Sequence, residues 1–506
     1  MIHLLRALIG FVVSALSCAA SPAQPAEPVA APISQLRPRI GLVLSGGGAR
    51  GLAHVGVLKL LEREHVPVDV IVGTSMGAII GGLYASGMSA SQLEAELLAL
   101  DWETVFAPRV SREQLSQRRK EEDFEVSPVI EIGMHEGELR APLGALSGRG
   151  LESLLRRFTL PVRDIHAFDA LPIPFRALAT DMESGRPVIL SSGDLALALR
   201  SSMSVPGVFA PTEVHGQILG DGGLTDNLPV DVARTMGVDL VIAVNIGTPL
   251  RTRSEIRGIL TVSDQISRIL TANNVNQSLK ELGPRDLLIT PDLGSVETAD
   301  FDRLGEAAAF GEVAARALTA QLSRYAIDAP AYAAWSAARE VEPPPQLARI
   351  DAVRVRGARI VNPEVIAGAI RTQVGQDFDR QVIDDDLKRI YARGYFERVS
   401  YSLSDDPAVG RVLTADVAEK SWGPNYLRFG LGLSSDLRGD SFFTLVATHR
   451  STWLNRLGAE WRNDLQIGHN DRLATEYYQP LTAAQRVFFA LHAETERPRA
   501  TRSTCT

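Results

Sequence analysis

Gly73-Thr74-Ser75-Met76-Gly77 reads GxSxG, set between an apolar run at 68–72 and a helix-like stretch beginning near Ala78. That is the setting of a nucleophile elbow, in which small residues on both sides of a serine relieve the crowding of a sharp turn and lift its hydroxyl clear of the backbone. Ser75 is therefore the candidate nucleophile. Upstream, Gly46-Gly47-Gly48-Ala49-Arg50-Gly51 follows another apolar run at 40–44 and has GxGxxG spacing. Backbone N–H groups in such a loop, together with the helix N-terminus behind it, hold a negative oxygen that belongs either to a pyrophosphate or to a tetrahedral oxyanion. A dinucleotide site needs an acidic residue at the end of the second strand, whereas Asp69 stands near the start of that strand.

A serine hydroxyl needs a base to attack at neutral pH. The usual hydrolase order is serine, acid, histidine. Here His135, His166 and His215 follow Ser75, but none follows Asp221 until His449, so that order is not available. A carboxylate acting directly is the economical alternative. Asp221 is the best placed, since Gly222 and Gly223 permit a tight turn and close approach after a short strand at 218–219. His54, close behind the glycine loop, is expected to pack against the sheet rather than react.

Short apolar runs at 40–44, 68–72, 175–179, 218–219, 240–246 and 287–289 alternate with helical patterns such as 90–100 and 302–320. This rhythm predicts an α/β domain with a mostly parallel sheet. The Pro-rich stretch ending at 343–345 marks a boundary. Beyond it, 349–420 predicts a strand at 350–355, helices at 363–372 and 379–393, and strands at 396–403 and 412–417. Runs at 426–433, 442–448, 457–466, 473–478 and 487–494 then alternate apolar and polar residues, the pattern of outer-membrane barrel strands.

The 506 residues are 45% hydrophobic and 22% charged, ordinary for a chain that buries cores, and the net charge of -8 gives no footprint for nucleic acid. Cys18 and Cys505 form no CxxC pair and no disulfide framework. Residues 1–23 have the basic, apolar and small-residue parts of a signal peptide, and 24–38 reads as a Pro/Ala-rich linker. Export follows. The mixed-sign run Arg118-Arg119-Lys120-Glu121-Glu122-Asp123 is expected to be a solvated helix face.

Taken together, the glycine loop, GxSxG and Asp-Gly-Gly resemble, in order and spacing, the three motifs of patatin-like phospholipases, over about 39–326. The resemblance implies a Ser75–Asp221 dyad with Ser75 as nucleophile and Asp221 as general base. It implies an oxyanion hole from the N–H groups of Gly46, Gly47 and Gly48, with Arg50 at the family's arginine position beside that hole. Ala49, Gly51, Gly73, Gly77, Gly222 and Gly223 complete the motifs, and Ser202 to Pro206 fits a family segment ahead of the base. The activity implied is hydrolysis of phospholipid acyl esters, without a metal or organic cofactor.

The 349–420 region resembles a POTRA (polypeptide-transport-associated) domain. The whole order of signal peptide, patatin-like domain (39–326), linker (327–348), POTRA-like domain and partial barrel (424–506) resembles patatin-like autotransporters of type V secretion. The implied partners are a phospholipid or other acyl-ester lipid substrate, the outer membrane, and a second copy in a homodimer, with no nucleic acid. The implied location is the outer membrane or cell surface, or the periplasm for a chain with few strands. About five strands fall short of the eight of the smallest single-chain barrels, so a truncated barrel is expected. The competing reading makes the POTRA and barrel a secretion or assembly module with the α/β domain as passenger.

Overall fold

A computed structural model describes residues 37–107, 111–122, 130–146, 148–341, 349–435, 441–468 and 470–498. The expected signal peptide, most of the 24–38 linker and residues 499–506 lie outside them.

Ile40–Leu44 is buried at every position, because its neighbours cover both faces, and it reads as an unbroken apolar run for that reason. It sits inside a sheet ordered Leu287–Ile289, Leu240–Val244, Ile40–Leu44, Val70–Thr74, Phe175–Asp181, Gln217–Asp221, Thr212–Val214. The first five are parallel, and the last two join antiparallel, as does Pro187–Leu190 on Phe175–Asp181. Successive side chains feed two cores. Leu42, Leu44 and Ile71 face the helices Ala53–Arg63 and Met76–Ala85, while Val43, Val72 and Leu178 face Val230–Thr235 and Ile259–Ser278. Helices thus cover both faces, the α/β layering expected of alternating strands and helices.

The second strand is Val70–Thr74 rather than 68–72. Pro67 has no N–H to donate to a ladder, and the Asp69 carboxylate is occupied in accepting the Ile40 N–H at 2.8 Å. The later start carries the strand up to Ser75 itself.

Residues 349–420 form a small α+β unit. Ala352–Arg356 pairs parallel with Gly410–Glu419, which pairs antiparallel with Phe396–Asp406. Pro363–Ala367 and Arg380–Tyr391 cover the sheet over a separate core that includes Ile350, Ile366, Leu387 and Phe396. Both helices start on side-chain caps, Asn362 and Asp379.

The last five strands, Asn425–Ser435, Ser441–Ser451, Glu460–Gly468, Asn470–Pro480 and Phe488–Pro498, run as an antiparallel meander, but the sheet has seven strands. The hairpin Ile130–His135 and Glu138–Arg140, from within the α/β region, adds to the Asn425–Ser435 edge and satisfies its backbone groups. Phe429, Leu431, Phe443, Leu445, Leu465 and Leu473 stand exposed on one face, while Arg450, Glu460, Arg462 and Asp464 are buried on the other. No helix among the described residues is long and apolar enough to cross a membrane.

The Arg118–Arg119 run is not a solvated face. The arm that holds it turns inward under the seven-stranded sheet, where Arg119 Nη2 meets Glu460 Oε1 at 2.5 Å and Arg118 pairs with Glu460 and Glu476. Buried carboxylates draw these cations out of water.

Candidate active site

Ser75 stands at φ +53°, ψ −122°, a conformation that costs a non-glycine residue free energy and that the elbow imposes. The close approach is readable at its flanks. A Cβ on Gly73 would fall 2.5 Å from Gly77 O, and one on Gly77 would fall 2.3 Å from Leu44 O. Both glycines let the Met76–Ala85 helix lie directly on the sheet, and all ten residues of that helix are buried. The Ser75 N–H donates to Ser202 Oγ at 2.8 Å.

Register brings Asp221 to the same height. Thr74 lies opposite Leu178 on Phe175–Asp181, and Ala179 lies opposite Asp221 on the next strand. Asp221 is held from several directions: its N–H donates to Ser204 O at 2.9 Å, its Oδ1 accepts Gly223 N–H at 2.7 Å, and its carbonyl accepts Thr180 Oγ1 at 2.7 Å. The turn after it is clamped from the Ile259–Ser278 helix, where Thr271 Oγ1 and Asn274 Nδ2 both donate to Gly223 O.

Burial pushes the Asp221 carboxyl up to about 6, against the opposing pull of the Ser75 hydroxyl, the Gly223 N–H and the Arg200 charge. Ser75 faces the carboxyl closely enough to favour its ionised form, while the buried Oδ2 makes no hydrogen bond of ordinary length. An acceptor left open beside a serine hydroxyl, with a pKa near the working range, is arranged to take a proton.

The glycine loop divides its amides. Gly46 N–H donates to Asn227 Oδ1 at 3.1 Å, so of the three expected oxyanion donors this one is already committed. Ala49 N–H goes to Thr298 O at 2.9 Å. Gly47 and Gly48 N–H carry no hydrogen bond to a described residue, and both glycines line the cavity with Ser75. Gly48 has φ +59°, and a Cβ there would meet Thr298 O at 2.3 Å. Arg50 is buried behind the loop and donates to the carbonyls of Ile246, Val296 and Gly247 at 3.2, 2.6 and 3.1 Å. It supports the loop by fixing the segments around it. Gly51 lies against Met76, and Gly222 against Leu178 O. Asn227, which sequence reasoning did not single out, ties the loop to the Asp221 turn; its six-residue distance from Asp221 is an ordinary turn spacing that carries no signal.

Ser75 and Asp221 open into a cavity of about 330 Å³. Its apolar wall includes Phe106, Leu146, Val208, Phe209 and Phe301, with Phe106 edge-on to Phe301 at 4.6 Å between centroids. Phe106 and Leu146 stand at the two ends of the arm that carries Arg118, Arg119 and the edge hairpin. Among the described residues, no histidine lines this cavity. His54 is fully buried, its Nε2 2.8 Å from Ser45 O, and burial lowers its pKa to about 4, so it packs as expected. His135 lies on the seven-stranded sheet, against Gly423 O. The arrangement can activate a serine directly through a carboxylate, receive an oxyanion on two free amides and seat an apolar chain beside both.

Residues 42–234 match the family described as patatin-like phospholipase, and residues 348–420 match the POTRA family, described as surface antigen variable number repeat. Over 209 residues the chain is 34% identical to an uncharacterized NTE family protein of Mycobacterium tuberculosis, covering 41% of this chain and 49% of that protein. It is also 34% identical over 209 residues to lysophospholipase NTE1 of Mycosarcoma maydis, covering 41% of this chain and 10% of that protein. The chain thus spans about half the length of the first relative and a tenth of the second. The crystal structure of VipD from Legionella pneumophila aligns with a TM-score of 0.33 at 16% identity, over 56% of this chain and 67% of that one.

Proposed function

We propose that this chain, which carries a patatin-like phospholipase domain and a POTRA domain, is an exported serine lipid acyl hydrolase of the phospholipase A kind that cleaves phospholipid acyl esters with a Ser75–Asp221 dyad. The observation that carries the reading is the strained Ser75 facing the open Oδ2 of Asp221 at the mouth of an apolar cavity. The name of the fungal relative, a lysophospholipase, supports the same bond type.

In this reading Ser75 Oγ attacks the ester carbonyl carbon as its proton passes to Asp221. The oxyanion gathers the Gly47 and Gly48 N–H groups. Collapse breaks the ester C–O bond, and Asp221 returns the proton to the departing alcohol. Water, deprotonated by the same carboxylate, then releases the fatty acid and restores Ser75. The acyl chain lies among Phe106, Phe209 and Phe301.

The seven-stranded sheet, with apolar side chains outward and polar side chains inward, supports anchorage in the outer membrane through barrel strands, the arrangement of patatin-like autotransporters. Ser75→Ala abolishes ester hydrolysis and labelling by a fluorophosphonate probe while circular dichroism is unchanged. Labelling that survives moves the nucleophile elsewhere, and full turnover in Asp221→Asn with loss in His166→Ala or His215→Ala replaces the dyad by a histidine-based triad.

A further inference from the structure

A second cavity, of about 1060 Å³, lies where the arm, the small α+β unit and the seven-stranded sheet meet. Its lining is cationic. Arg118 and Arg119 reach it from the arm, and Lys388, Arg389 and Arg393 from the Arg380–Tyr391 helix and the turn that follows it. Arg371 and Arg486 complete the ring from two loops. The carboxylates lining it are Glu113, Asp385 and Glu476, with Glu460 and Asp386 just behind the wall as partners of Arg119 and Arg389. Seven positive groups therefore face five negative ones even when the outer pair is counted.

The surplus is concentrated at identifiable atoms. Arg371 and Arg486 are exposed to the cavity, and neither side chain has an ion-pair partner among the described residues. Arg118 is almost wholly enclosed and pairs with Glu460 and Glu476, but its buried Nη2 makes no hydrogen bond. Burial, with Arg119 nearby, holds Arg393 below its ordinary value, and burial, with Arg371 nearby, does the same for Arg389. The Arg371 and Arg486 guanidinium forks, left without a carboxylate beside one shared space, match the planar, multidentate demands of phosphate oxygens. Leu115, Ile370 and Phe488 supply an apolar flank.

We infer that this junction cavity is a binding site for a phosphate-bearing anion, separate from the cavity at Ser75. The phosphate is either that of a lipid headgroup or free in solution. The test uses the full chain in a non-ionic detergent. Inorganic phosphate is titrated by calorimetry, and mixed micelles containing phosphatidylglycerol are compared with micelles containing phosphatidylcholine. Arg371→Glu with Arg486→Glu weakens binding by about tenfold or more, as expected for losing charge-assisted hydrogen bonds. Arg324→Glu, at an exposed arginine that does not line this cavity, leaves it unchanged. Arg371→Gln with Arg486→Gln gives a smaller loss and serves if the double reversal misfolds. Phosphate binding lost in these variants identifies free phosphate as a sufficient ligand, and phosphatidylglycerol-specific binding lost in them identifies the headgroup. Equal binding by wild type and variants, or no binding of either probe, overturns the inference.

Discussion

The N–H of Ser75 is anchored on the hydroxyl of Ser202 at 2.8 Å, and that hydroxyl donates onward to Leu178 O at 2.5 Å. Two residues later, Ser204 O accepts the Asp221 N–H at 2.9 Å. One turn, at the end of the Leu195–Ser202 helix, thus pins Ser75 and Asp221 to a common frame.

Ser202→Ala leaves a buried N–H and a buried carbonyl without this partner, a cost of about 1–3 kcal/mol that falls on the elbow. The expected outcome is a kcat lowered about tenfold with KM little changed, since the serine is misplaced but the apolar cavity is not. Steady-state kinetics on a monoacyl ester decide it, and an unchanged kcat would show that the elbow holds Ser75 without Ser202.

Asp221 gives a prediction in pH. Burial raises its carboxyl to about 6 in the folded chain, above the value it has when unfolded. The stability this contributes is fully present below about pH 4 and is lost as pH rises through 6, because the folded state must then carry a buried charge. If Asp221 is the base, as proposed, activity runs the other way: kcat/KM climbs with pH through about 6 and levels off above it. Asp221→Asn has no charge to bury. At pH 8 it therefore resists denaturation better than wild type, by on the order of 2–3 kcal/mol, and the gap closes toward pH 4. Its acylation rate falls by roughly two to four orders of magnitude. Denaturation midpoints at the two pH values check the first half, and an Asn variant weaker than wild type at pH 8 contradicts the burial argument.

The proposed dyad is legible in the sequence because each motif is local: a run of apolar residues, a tight turn and a polar side chain within ten residues. Asn227 is not, since its role depends on where Gly46 arrives from 181 residues away. The same holds for Arg119, whose carboxylate partner Glu460 is 341 residues distant. Read alone, Arg118 to Asp123 has the composition of a wet helix face, and nothing nearby announces a buried acid. The hairpin that adds two strands to the C-terminal sheet is hidden likewise, because Glu131 and Gly133 give Ile130–His135 the look of a loop until Lys420 and Arg428 supply the charges that Glu131 meets.

The backbone at Ser75 stores strain that two variants lacking the hydroxyl separate. Glycine adopts φ +53° without the Cβ penalty, whereas alanine retains it. In an ordinary position glycine is less stable than alanine by about 0.5–1 kcal/mol. At the elbow, relief of strain of about 1 kcal/mol or more offsets that loss, so Ser75→Gly is at least as stable as Ser75→Ala. Chemical denaturation of the two proteins side by side is the measurement, and a glycine variant weaker by the ordinary margin would mean that the elbow is unstrained.

The outward face of the seven-stranded sheet gives the last prediction. Leu445 and Leu465 are 49% and 46% exposed, on strands whose opposite face buries Arg450 and Asp464. Water would favour the reverse arrangement, and in the proposed outer-membrane reading this face meets hydrocarbon. A cation placed on a lipid-facing barrel position costs about 2–4 kcal/mol near the midplane. Leu445→Arg with Leu465→Arg should shift the protein out of the outer-membrane fraction, whereas Leu143→Arg, equally exposed but off this sheet, should leave it there. The soluble fraction of the double variant should still hydrolyse esters, since Ser75 and Asp221 stand on a different sheet. If instead the double variant fractionates with the membrane as wild type does, those leucines face something other than lipid, and anchorage through this sheet fails.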